Sequence, residues 1–256
     1  MTDGPVGEDL GVSDFGISFR GGASAAARHL GPDVRFRLAD EIRRITSAMV
    51  GLPIADEEIE AATASLGEVA TRLETAAGSG RRLRAHPDPV GHPQDFFPSS
   101  PVIGFANPVA PPVVVEAVEG ELRGTAFFDY QYEGPPTCVH GGVIAMVFDE
   151  LLGAANIMAG TPAMTGTLTI KYRKPTPLRT PLRLEARCLG KDGRKVRTYG
   201  AIYNGDVLTA EAEGIFVELV PQRFLAIVSE SAEGSDAVEQ VRADARRLGF
   251  ADREPS

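Results

Sequence analysis

The chain runs to 256 residues, 43% of them hydrophobic, with a formal net charge of −9, which suits one large domain or an ordinary domain with extensions. No uninterrupted apolar run approaches the ~18 residues of a membrane span, and the start, MTDGPVGEDLGVSDFG, has neither the basic opening nor the apolar core of a leader, so a cytoplasmic address is expected. The acidic total argues against nucleic acid as a partner. Two cysteines, Cys138 and Cys188, and four scattered histidines, His29, His86, His92 and His140, lack metal or disulfide spacing, and neither a metal nor a cofactor is expected.

In chain order, residues 1–30 are rich in Gly, Ala, Ser and Asp and read as disordered. Residues 31–80 read as a helical extension. Leu38, Ile42, Ile45 and Met49 recur at helical spacing, as do Ile59, Ala62, Leu66, Val69 and Leu73. GLP at 51–53 separates the two helices, Asp56 is placed to cap the second, and the stripes are expected to pack on the main domain or on a partner chain. Prolines at 87, 89, 93, 98, 101 and 108 make 81–109 an extended connector. The domain proper is expected over 110–220. Residues 113–132 hold two short strand-like runs broken at Glu119-Gly120, a long apolar helix starts near His140, and four strands follow as an antiparallel meander. Asp192-Gly193 and Asn204-Gly205 supply hairpin turns. In the tail, 221–256, Ser235 to Leu248 read as a short helix. An apolar helix beside amphipathic antiparallel strands is best buried by a sheet wrapping around it, an α+β arrangement.

Two features carry chemistry. The apolar helix holds two adjacent acids, Asp149 and Glu150, although an unpaired buried carboxylate costs several kcal/mol, on the order of 5. Gly141 and Gly142 stand where a loop enters that helix, so backbone amides and the positive end of the helix dipole converge on one spot, as an anion site or as a tight turn. Separately, the stretch from Lys171 to Arg197 has ten basic residues against two acids. A small polyphosphate ligand suits that window, and solvated surface charge accounts for much of it equally well.

The sequence YEGPP, then HGG, then Asp149 seven residues after the second Gly, then MAG and LTIKYRKPTPL, resembles the hotdog-fold acyl-CoA thioesterases of the PaaI and 4-hydroxybenzoyl-CoA type, and among them the thioesterase superfamily members acting on long-chain acyl-CoA. The resemblance spans about residues 110–220. It implies a hotdog fold, acyl-CoA as substrate with CoA as part of it, and a site built at a homodimer interface, with pairing of dimers into a tetramer left open. By position it makes Asp149 the general base or the nucleophile, Gly141 the amide that polarises the thioester carbonyl, and Thr165 the residue that positions the water. His140 shapes the turn beside the thioester. Gly142 and the cations Arg173, Lys174, Lys191, Arg194 and Lys195 become the substrate-binding candidates, the cations for the phosphates of CoA.

Helix geometry adds a constraint. Eight residues separate Gly141 from Asp149, about 12 Å along a helix, whereas one thioester carbon needs both within ~3–4 Å. If the resemblance holds, Gly141 of one protomer must meet Asp149 of another. Glu150 lies ~100° around the helix from Asp149 and is expected to face solvent or an arginine. Cys138 and His140, two residues apart with no third orienting group, make a poor nucleophile–base pair. A non-catalytic acyl-CoA-binding module with regulatory N-terminal helices, and an enoyl-CoA hydratase, are the competing readings.

Overall fold

The computed structural model describes residues 34–77, 98–161 and 163–218. The expectations for 1–30, for 81–97 and for the tail helix therefore lie outside the described residues. Helices α1 (Val34–Gly51) and α2 (Asp56–Ala76) come first. Strands β1 (Val113–Val118) and β2 (Glu121–Ala126), a 3-10 turn (Tyr130–Tyr132) and helix α3 (Gly141–Met158) follow. Strands β3 (Ala163–Tyr172), β4 (Leu182–Asp192), β5 (Lys195–Asn204) and β6 (Val207–Glu218) complete the described fold.

The six strands form one antiparallel sheet in the order β1-β2-β4-β5-β6-β3. α3 packs along it, and its buried side, Ile144, Val147, Phe148, Leu151, Leu152 and Ala155, recurs at 3 and 4. A sheet curled over one central helix is the expected hotdog arrangement. Close approach needs small residues beneath the helix: a Cβ at Gly214 would stand 2.5 Å from the Phe216 ring and 3.1 Å from Leu152. By length and composition α3 would pass for a membrane span, but its apolar side faces the core cluster of β1, β2, β4, β5 and β6.

Four expectations change. The strands after α3 are not a four-strand meander: β4, β5 and β6 are, but β3 pairs with β6 at the far edge, its register running from Ala163 opposite Glu218 to Tyr172 opposite Ala210. The Pro-rich crossing KPTPLRTP, 174–181, carries the chain from that edge back to β4 beside β2. The part of the connector within the structure is not extended. Residues 98–110 fold into successive turns, with Gly104 N–H on Ser100 O and Ala106 N–H on Pro98 O, because Val102, Ile103 and Phe105 are buried there. Asp56 is the first residue of α2 rather than its cap; Ala55 holds that place, and Asp56, Glu57 and Glu58 favour the positive helix end. Finally, α1 turns its polar side to the body. Ala39, Asp40, Arg43 and Ser47 are buried, while Leu38, Ile42, Ile45 and Met49 stand outward.

Candidate active site

The loop before α3 is fastened before the helix begins. Gly134 N–H bonds Cys138 O, Val139 N–H bonds Thr176 O, His140 N–H bonds Tyr132 O, and Leu178 N–H bonds Thr137 O. YEGPPTCVH and KPTPL, distant in sequence, thus hold each other, with isolated bridges at Glu133–Val139 and Cys138–Pro177. His140 is the helix cap. Its Nδ1 accepts from Gly142 N–H at 3.0 Å, so that nitrogen is unprotonated and the ring donates from Nε2 when neutral. This alters the expectation of two convergent amides: Gly142 is committed to His140, and the N–H without a partner among the described residues is that of Gly141. The same bond leaves the His140 Nδ1 occupied and Cys138 a free, half-buried thiol.

Gly141 is also touched from the sheet. The Tyr172 hydroxyl donates to its carbonyl at 2.9 Å, and a Cβ on Gly141 would meet the Tyr172 ring at 3.5 Å, an ordinary contact. The chain's own packing therefore does not demand glycine at 141. Tyr172 is not among the residues singled out from the sequence, where it stands only within LTIKYRKPTPL.

Two turns along α3, Asp149 accepts from the Thr165 hydroxyl at 2.7 Å. Simple alternation would put Thr165 on the face opposite Leu168, Ile170 and Tyr172. A β-bulge between Thr165 and Thr167 inserts one residue and returns Thr165 to the α3 side. Asp149 and Thr165 are both exposed in the single chain.

Glu150 corrects the expectation that it faces solvent or an arginine. It is half-buried and takes a hydrogen bond from the Ser100 hydroxyl, in the folded turns of 98–110. Burial, and then the Asp149 charge, raise its carboxyl above the usual range, against the pull of Ser100. The two acids therefore face different neighbours, as their ~100° separation requires.

The basic candidates divide. Arg173 pairs with Glu211, Lys191 with Glu218 at 2.6 Å, and Arg194 donates to the Glu218 carbonyl at 2.9 Å. Lys174 and Lys195 have no ion pair among the described residues. The register sets them at opposite ends of the strands, since Lys195 faces Val217, which faces Met164, whereas Arg173 and Lys174 follow Tyr172. About eight residues of β3 lie between, roughly 25 Å. Lys191, Arg194 and Lys195 thus share the Asp149–Thr165 end, and Arg173 and Lys174 share the Gly141 end. A cleft of about 430 Å³ between α1 and the 3-10 turn, lined by Arg43, Arg44, Tyr130 and Arg179, includes neither Asp149 nor Gly141.

In one chain, then, an oriented carboxylate and an unpartnered helix-terminal amide lie on the same exposed border of the molecule, too far apart to act on one bond. Comparison with known proteins bears on what that border is. Residues 137–211 match the family model described as thioesterase superfamily. The crystal structure of a thioesterase superfamily protein superposes with a TM-score of 0.66 at 34% identity, covering 73% of this chain and 92% of that one. Among curated proteins, the chain is 36% identical to acyl-coenzyme A thioesterase THEM4 of Xenopus laevis over 91 residues, 35% of this chain and 41% of that protein. It is 36% identical to the Mus musculus protein of the same name over 93 residues, 36% of this chain and 40% of that protein. The chain thus spans about two fifths of the length of these curated relatives.

Proposed function

The chain belongs to the thioesterase superfamily, and from that premise we propose that it hydrolyses the thioester of acyl-CoA to the free acid and CoA. The observation that carries the reading is the Asp149–Thr165 hydrogen bond, which fixes one carboxylate oxygen and leaves the other for water or substrate. With Asp149 as base, the carboxylate takes a proton from water and the hydroxide adds to the carbonyl carbon. The Gly141 amide holds the developing oxyanion, the C–S bond breaks, and the departing thiolate recovers the proton. With Asp149 as nucleophile, the carboxylate itself displaces the thiolate and water then opens the mixed anhydride. Either course needs Asp149 and Gly141 at one carbon.

A homodimer meets that need. β3 is one of the two edge strands of the sheet, ten residues long and mostly exposed, an open row of backbone donors and acceptors. Antiparallel pairing of two β3 strands about Thr169, three ladder steps from Thr165 across the bulge and three from Tyr172, sets Thr165 of one chain opposite Tyr172 of the other. Tyr172 is hydrogen bonded to Gly141, so the partner's Gly141 would arrive beside Asp149, and Arg173 and Lys174 of the partner would join Lys195 around one substrate. Support for the phosphate role of these cations is their charge and that convergence.

The test is incubation of the purified protein with acyl-CoAs of several chain lengths and a thiol-trapping reagent. Free CoA is the expected product. Binding without thiol release would replace the enzyme by an acyl-CoA sensor, and loss of an enoyl group without thiol would replace hydrolysis by hydration.

A further inference from the structure

Two amphipathic helices lie apart from this site, and neither covers its apolar stripe. α1 is held to the body by its polar side. Arg43, 4% exposed, donates Nε to the Ala110 carbonyl at 2.8 Å and Nη2 to the carbonyls of Phe105 and Asn107 at 3.1 and 2.7 Å. That latch fixes the helix with Leu38, Ile42, Ile45 and Met49 pointing away, between 37% and 59% exposed. α2 buries none of its residues, and Ile59, Leu66 and Leu73 stand open along one side. These seven large apolar side chains at regular helical spacing are costly to leave in water, at about 1.5–3 kcal/mol each when fully buried instead.

Charge says what covers them. On its exposed side α1 carries Arg35, Arg37 and Arg44 against Glu41, since Arg43 and Asp40 are buried against the body. α2 carries six carboxylates, Asp56, Glu57, Glu58, Glu60, Glu68 and Glu74, against Arg72 alone. The two helices match in stripe spacing and oppose in charge, yet in one chain they do not bury each other. A second copy of the chain offers both complements at once, and two-fold symmetry makes each contact twice.

We propose that α1 and α2 form an interface between copies of this chain, the acidic α2 of one protomer lying along the basic α1 of its partner and the four helices closing into one bundle. α1 packs against the 3-10 turn and the loop that leads into β1, and β1 and β3 are the two opposite edges of the sheet. The bundle is therefore a contact separate from any pairing through β3. Where the β3 pairing also forms, the assembly is a tetramer; the helical contact does not depend on it.

The experiment is light scattering on the full chain and on a Leu66→Asp, Leu73→Asp variant, whose altered residues support no fold contact within one chain. The variant is expected to have half the wild-type mass, from tetramer to dimer with acyl-CoA turnover per chain within about twofold, or from dimer to monomer where the β3 pairing does not form. Equal masses would overturn the proposal, whatever the outcome for catalysis. A mixture of differently tagged Ile45→Cys and Leu66→Cys chains, oxidised mildly, is expected to yield a disulfide joining the two tags. A double Ile45→Cys, Leu66→Cys chain that closes only within itself would overturn it in favour of an intramolecular hairpin.

Discussion

Thr165 donates its hydroxyl to the Asp149 carboxylate at 2.7 Å, joining β3 to the flank of α3. Asp149→Asn is expected to lower kcat at least ~100-fold while leaving the oligomer intact, because the amide neither takes a proton nor attacks. Thr165→Val should lower kcat by roughly tenfold, the size of one lost hydrogen bond to a charged group, and Thr165→Ser should restore most of it. Steady-state kinetics with sedimentation on each variant decides this. Near-normal turnover in Asp149→Asn would move the chemistry to Glu150.

Gly141→Ala separates the fold from the site. The added Cβ meets Tyr172 at an ordinary 3.5 Å, and alanine favours a helix by about 1 kcal/mol over glycine. Melting temperature should be unchanged or higher, whereas kcat falls by on the order of 10–100-fold as a methyl group intrudes where the carbonyl must approach the amide. Loss of folding instead would return Gly141 to a purely structural role.

Glu150 makes stability depend on pH. Its carboxyl is raised first by burial and then by Asp149, so it binds its proton more tightly folded than unfolded. The stability it contributes is full below the ordinary glutamate range and is lost as pH rises through its folded value. Glu150→Gln removes that loss. Relative to the parent, its melting temperature should be level or lower near about pH 4 and higher near about pH 8, by on the order of 2 °C. A difference independent of pH would exclude burial as the cause.

The cations should act on binding. Lys174→Glu and Lys195→Glu are expected to raise KM for acyl-CoA about fivefold or more with kcat nearly constant, since neither breaks an ion pair among the described residues. Reversing Arg173 together with Lys174 should also raise KM more than it lowers kcat, with some loss of stability because Glu211 is left facing a carboxylate. An unchanged KM in all three would remove these residues from the phosphate site.

Arg43 should be a stability residue. Arg43→Met leaves the carbonyls of Phe105, Asn107 and Ala110 without their donor, at a cost of about 2–4 kcal/mol in urea unfolding. Arg43→Lys should not rescue it, because an ammonium lacks the planar fork that reaches three acceptors.

Local chemistry was legible in the residues themselves. Apolar spacing marked α1, α2 and α3, Asp192-Gly193 and Asn204-Gly205 marked the hairpins of β4, β5 and β6, and HGG followed by Asp149 marked the helix that carries the candidate site. Each of these signals is complete within a few residues, since turn dihedrals and side-chain period depend only on near neighbours.

What the tertiary structure alone decided was which surfaces meet. Alternation put Thr165 on the wrong face, and only the bulge formed against β6 turned it to Asp149. Helical period identified the stripe of α1 but not its direction, which was settled by three backbone carbonyls waiting for Arg43. Glu150 looked solvent-bound until the turns of 98–110 covered it, and one run of basic residues separated into two ends of a sheet once β3 paired with β6. Sequence determined the elements and the candidate residues; the pairings between distant segments, whose free energy no local window contains, determined where those residues face.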